Sequence, residues 1–146
     1  MKLLFKLAPV VAAALLAGAA ESPTSVSFAD HNKVSAALAK GGPLVTREDL
    51  HLLVSGSHRD KNGSVEVHDR ETDVIYIVSG EATFVTGGKM LNGKSTKAGQ
   101  WLGTDIEGGE SHHLVPGDVI VVPAGVPHWF KEVPSQVSYY VVKVLK

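Results

Sequence analysis

From residue 50 onward the chain alternates short β-branched runs with glycine and polar clusters, the runs falling at 50–55, 64–68, 74–78, 82–86, 112–115, 119–122 and 137–144. Runs of this length broken by turn residues predict strands, and a series of them predicts an all-β sandwich or barrel. Within 64–68, Val65 and Val67 alternate with Ser64, Glu66 and His68, so the polar side chains share one face of the strand and the valines the other. Residues 119–122 read as a buried strand held between the turns Pro116-Gly117-Asp118 and Pro123-Ala124-Gly125, and His128 opens the strand after them. Phe130, two positions on, shares the inward face of His128, whereas Tyr76 has the opposite parity to Asp73 and Ile75 and points outward. The apolar run 137–144 reads as an interior strand, the alternative being an edge that joins two copies of the chain as a homodimer.

Before residue 50 the pattern changes. Val34, Ala37 and Leu38 have helical spacing, with Ser27 and Asp30 available at the N-terminal end and Gly41-Gly42 as a stop, so one short amphipathic helix is predicted on the outside of the barrel or across a partner subunit. Residues 87–110, with seven glycines and no sustained apolar run, read as one long loop. Trp101 and Leu102 in its middle either cover the barrel mouth or anchor the loop to the surface.

The extreme N-terminus has a third character. Lys2 and Lys6 precede an apolar run over 7–16 that ends in Ala17-Gly18-Ala19-Ala20, which predicts a secretory signal peptide over 1–20 cleaved after Ala19 or Ala20. The division that follows is a signal peptide at 1–20, an arm with a short helix at 21–49 and a barrel at 50–146. The mature protein is expected in the periplasm or secreted, free of the membrane after cleavage. Cleavage removes two lysines and no carboxylate, so the mature chain is mildly acidic. A 146-residue chain of formal charge −1 suits one globular domain and has no basic surplus to recruit nucleic acid. It has no cysteine, which excludes disulfides and a lipid-attachment thiol.

The chemistry-bearing residues cluster in two places. Glu66 and His68, at i and i+2, are two potential ligands on one strand face, and Asp73 follows a short turn. Residues 117–128 read GDVIVVPAGVPH and deliver His128. The second cluster resembles the cupin motif G-x5-P-x-G-x2-H-x3-N, with Gly117, Pro123, Gly125 and His128 in place and Glu132 where asparagine is usual. The first resembles the other cupin motif, G-x5-H-x-H followed by a few residues and E-x6-G. There His68 and Gly80 match, while Asp60, Glu66 and Asp73 stand at the leading glycine, the first histidine and the glutamate. The resemblance implies a double-stranded β-helix, or jelly-roll barrel, and a divalent metal ion held by Glu66, His68, Asp73 and His128. A set with a carboxylate in place of a histidine is harder and more anionic, which points to Zn, Mn or Fe. The competing readings are an exposed strand position for Glu66 and a polar turn for Asp73.

Two functions fit that resemblance. One is a metal-dependent enzyme of oxygenase, lyase or isomerase type acting on a small organic molecule, with Glu71 or Glu132 as a general base if either reaches the pocket. The other is a non-catalytic barrel that captures a sugar or organic acid, with Ile75, Ile77, Phe130 and the 87–110 segment lining the pocket. Arg59 reads as a surface arginine, the alternative being a clamp for a substrate carboxylate in the barrel mouth. His112 and His113 are adjacent, so they point to opposite faces and read as a solvated pair.

Overall fold

The computed structural model describes residues 25–146, and the predicted signal peptide lies outside them. The described chain opens with α1 (His31–Lys40), which the Asp30 carboxylate caps by accepting the Lys33 N–H at 2.9 Å. The helix lies on the outside of the sheet, with Ala37 its buried residue. Gly56 makes this docking possible, because a Cβ there would lie 2.8 Å from the Ala37 Cβ.

The rest is antiparallel sheet, as the alternating runs predict. The strands are β1 (Gly42–Arg47), β2 (Leu52–Arg59), β3 (Val65–His68), β4 (Glu71–Gly80), β5 (Ala82–Thr86), β6 (Lys89–Leu91), β7 (Lys94–Lys97), β8 (Gln100–Gly103), β9 (Asp105–Glu107), β10 (Glu110–Leu114), β11 (Val119–Val122), β12 (His128–Glu132) and β13 (Val137–Leu145). One sheet has the order β1-β2-β13-β4-β11, the other β10-β5-β12-β3-β8-β7, and β6 pairs with β9 apart from both. Inward residues of both large sheets form one core, including Ile75 and Ile77 of β4, Phe84 of β5, Phe130 of β12 and Val137, Tyr139 and Val141 of β13. This is the jelly-roll architecture.

Tyr76 points outward, and Phe130 inward beside His128, as parity requires. The run 137–144 is the central strand of its sheet, paired with β2 and β4 on its two sides, so it has no free edge to offer a second copy.

Three expectations need correction. Residues 87–110 are short strands rather than a loop, and they escape the periodicity reading because their side chains are mostly exposed on both faces, all four of β7 among them. The sheet begins inside the 21–49 arm, at β1. Pro43 cannot complete a ladder, and β1 accommodates it as an edge strand whose register shifts between Pro43 and Val45. Finally, β11 is an edge strand with Val119 and Val121 exposed, because only Ile120 and Val122 face the core.

Gly80, the matched glycine that ends β4, has φ +76° and meets the chain at Gln136, where an added Cβ would lie 1.9 Å from the carbonyl oxygen. Only glycine fits this conformation and this approach.

Phe84 is fully buried and meets Phe130 edge-on at 4.6 Å between ring centroids. Phe84→Ala should therefore cost about 3–5 kcal/mol in urea unfolding. Val121→Ala on the exposed face should stay within about 0.5 kcal/mol of the native protein.

Candidate metal centre

Cross-strand pairing assembles the site. On β3, Glu66 and His68 face inward together, and Glu66 pairs directly with His128 of β12. The Gly125 N–H donates to the His68 carbonyl at 2.8 Å, so the turn before His128 is pinned to the end of β3. Asp73 shares the inward parity of Ile75 and Ile77 on β4 and is buried. The structure thus brings Glu66, His68, Asp73 and His128 together.

The imidazole rings of His68 and His128 lie 5.0 Å apart. His68 Nε2 is 3.6 Å from Glu66 Oε2 and 3.6 Å from Asp73 Oδ2, and His128 Nε2 is 3.9 Å from Asp73 Oδ2.

Hydrogen bonding fixes which nitrogen of each ring carries the proton. His128 Nδ1 donates to the Val126 carbonyl at 3.1 Å, which leaves Nε2 with its lone pair. His68 Nδ1 donates to Gln100 Oε1, and the amide cannot be reversed because Gln100 Nε2 donates to Glu71 Oε1 at 2.8 Å. His68 Nε2 is left buried without a hydrogen-bond partner. Two Nε2 lone pairs and the Glu66 carboxylate lie within 4.8 Å of one another, and His68, Glu71 and Asp73 form a second such group. A buried orphan nitrogen facing a second imidazole and a carboxylate is a donor set that fits a divalent ion. The cluster could hold one.

Two cations complete the centre. Lys143 of β13 pairs with Asp73 in the ladder, and its ammonium bonds both Asp73 oxygens at 2.8 and 3.0 Å and Glu71 Oε2 at 2.9 Å. Arg59 of β2 is no surface residue. Its guanidinium donates to the Tyr139 hydroxyl at 3.0 Å and to Glu66 Oε1 at 3.2 Å, and lies over the Phe130 ring. The surface assignment fails because β2 continues beyond residue 55 and turns Ser57 and Arg59 inward.

Burial alone would raise the Asp73 carboxyl, but His68 and the Lys143 ammonium outweigh it and hold Asp73 below the usual carboxylate range. His128 is pushed down by burial, which disfavours its charged form. For His68 burial pulls the same way, yet Asp73 and Gln100 prevail and raise it. Lys143 is likewise raised, its two carboxylates overcoming burial.

A cavity of about 180 Å³ opens onto the centre, with Arg59, Glu66, Asp73 and Lys143 on its polar side and Ile75 and Phe130 on its apolar side. Ile77 is packed in the core instead, and the 87–110 segment contributes Gln100 behind His68 rather than a pocket wall. Glu71 does reach the centre. Glu132 does not: it is exposed and accepts from Thr83 at 3.2 Å. His112 bonds Thr86 and His113 lies by Glu81, on opposite faces and away from the centre. Trp101 anchors its strand, its indole donating to Asp69 at 3.0 Å.

Sequence reasoning missed Lys143, Gln100 and Tyr139. A signal for Lys143 was present, since it continues the inward parity of Val137, Tyr139 and Val141 as a charge on a buried face. Gln100 gave none, because its strand has no periodicity.

A family profile described as Cupin matches residues 49–144. No curated protein matches the chain. Among solved structures, peruvianin-I, a cysteine peptidase from Thevetia peruviana latex, is similar at 20% identity and TM-score 0.43, over 66% of this chain and 52% of that one. A recombinant oxalate oxidase in complex with glycolate is similar at 19% identity and TM-score 0.47, over 66% of this chain and 43% of that one. A Thermus thermophilus protein gives 21% identity and TM-score 0.48, over 70% of this chain and 79% of that one. The chain spans about half the length of peruvianin-I and less than half that of the oxalate oxidase.

Replacing Gln100 with leucine removes the acceptor that selects the His68 tautomer. At a pH high enough to make His68 neutral, imidazole ¹⁵N spectra of the metal-free protein should show its Nε2 unprotonated in the native chain and a tautomer mixture in the variant. The depressed Asp73 has a stability signature as well. Its contribution is complete above the unfolded carboxyl value of about 3.9 and is lost as pH falls through the lower folded value. In urea unfolding of the metal-free protein, the native chain and Asp73→Asn should differ most near neutral pH and converge in acid.

Proposed function

The chain belongs to the cupin family, and on that premise we propose that it is an exported protein that binds one divalent ion at the cluster of Glu66, His68, Asp73 and His128 and acts on a small organic anion. The observation that carries this reading is the buried, partnerless Nε2 of His68, facing the His128 lone pair and the Glu66 carboxylate. Leaving such an atom unpaired in a core is costly, and a metal ion is the partner that its neighbours suit.

Zn, Mn or Fe, when bound, supplies Lewis-acid polarisation of a substrate oxygen. The remaining work falls to the chain. Arg59 uses Nε and one Nη2 hydrogen on Tyr139 and Glu66, so its other donors are available to a carboxylate entering the cavity. Ile75, Phe130 and Val141 form the apolar wall of the cavity, whose volume of about 180 Å³ suits a small ligand. The apolar 7–16 run is the basis for export to the periplasm or beyond.

One observation favours the second reading, a non-catalytic barrel that captures an organic acid. Every carboxylate at the centre is already paired, Glu66 with Arg59 and Asp73 and Glu71 with Lys143, so none stands free as a general base. Turnover of small organic acids by metal-loaded protein separates the two.

Elemental analysis of protein purified without an affinity tag should give close to one Zn, Mn or Fe per chain, lost in a His68→Ala, His128→Ala double variant. Adding a chelator should lower the melting temperature of the native protein and leave the double variant unmoved. Protein that takes up no metal after incubation with each ion would sink the metal reading.

A further inference from the structure

Asp73 occupies the fourth corner of the centre, yet each of its two oxygens already accepts from a cation. The Lys143 ammonium donates to both oxygens of Asp73, at 2.8 and 3.0 Å, and lies 2.9 Å from Glu71 Oε2 as an ion pair. Lys143 and Asp73 are also direct ladder partners, so the backbones of β13 and β4 hold this contact in place. Glu66 is held differently. Its Oε1 accepts one bond from Arg59 at 3.2 Å, while its Oε2 faces His68 Nε2 and makes no hydrogen bond. Drawing Asp73 onto a metal ion would strip a largely buried ammonium of its main counter-charge, whereas Glu66 can bind an ion through Oε2 and keep Arg59 on Oε1.

We propose that Lys143 is a resident cation that withdraws Asp73 from the ligand set, leaving a three-ligand centre of Glu66, His68 and His128. This rests on the metal-binding reading above. Asp73 is then a positioning residue, acting through Lys143 and against the two imidazoles. The ligand set carries one negative charge rather than two, and a coordination position that a fourth side chain would fill is left to water or substrate. A fixed ammonium at its edge favours an anionic occupant. Two imidazoles and one carboxylate are also the donor composition of iron centres that keep open positions for exogenous ligands.

The test is Zn(II) affinity by chelator competition, with Co(II) visible absorption as the report on coordination, in four proteins. In Lys143→Met the freed Asp73 should join the metal, tightening Zn(II) by about tenfold or more and changing the Co(II) spectrum. The double variant Lys143→Met, Asp73→Asn removes the ion pair as a neutral unit and should stay within about threefold of the native affinity with the native Co(II) spectrum. Glu66→Gln should weaken Zn(II) by about tenfold or more. If the double variant loses metal as severely as Glu66→Gln, Asp73 is a ligand, and if Lys143→Met binds no more tightly than the native chain, Lys143 is not what keeps Asp73 off the metal; either result overturns the proposal. If Lys143→Met does not fold, as circular dichroism would show, the double variant decides. Native protein that binds neither Zn(II) nor Co(II) would overturn this inference together with the reading beneath it.

Discussion

Three carboxylates and two imidazoles converge between the two sheets beside an apolar core, and such a cluster is tolerable only if its charge is balanced from within. Arg59 and Lys143 do this from adjacent strands, β2 and β13, one on Glu66 and the other shared by Asp73 and Glu71. Removing either cation leaves a partly buried carboxylate without its partner. The same two residues shape the cavity, so the groups that permit the cluster to exist also decide what can enter it. Charge balance and ligand selection are one constraint here.

The centre rests on the core through aromatic contact. Phe84 lies 6.1 Å from the His128 ring and 4.6 Å from Phe130, and Phe130 stacks on Tyr139 at 4.8 Å. Tyr139 in turn accepts from Arg59, whose guanidinium also covers Phe130. The packing that stabilises the fold therefore fixes the position of His128 and of Arg59.

What could be read from the sequence was whatever follows from period-two alternation and turn chemistry. Those rules placed His128 after the Pro123-Ala124-Gly125 turn, put Glu66 and His68 on one face, sent Tyr76 outward and Phe130 inward, and marked α1. They failed where a strand buries neither face, as in β7, and where a strand outlasts its apolar run, as β2 does beyond residue 55 to reach Arg59. Lys143 and Gln100 were hidden for another reason. Their roles depend on which strands lie side by side across long sequence separations, and no local pattern encodes that Lys143 faces Asp73 or that Gln100 faces His68.

Gln100 links the centre to the least protected part of the molecule. It sits on β8, next to last in its sheet, covered at the edge only by the fully exposed β7. Edge strands with so little buried surface open locally at free energies far below that of global unfolding. His68 of β3 therefore takes the partner that selects its donor atom from a strand only one place in from that margin. The donor atom of a buried imidazole is thus chosen near the rim of the fold, by an amide that the apolar core does not supply.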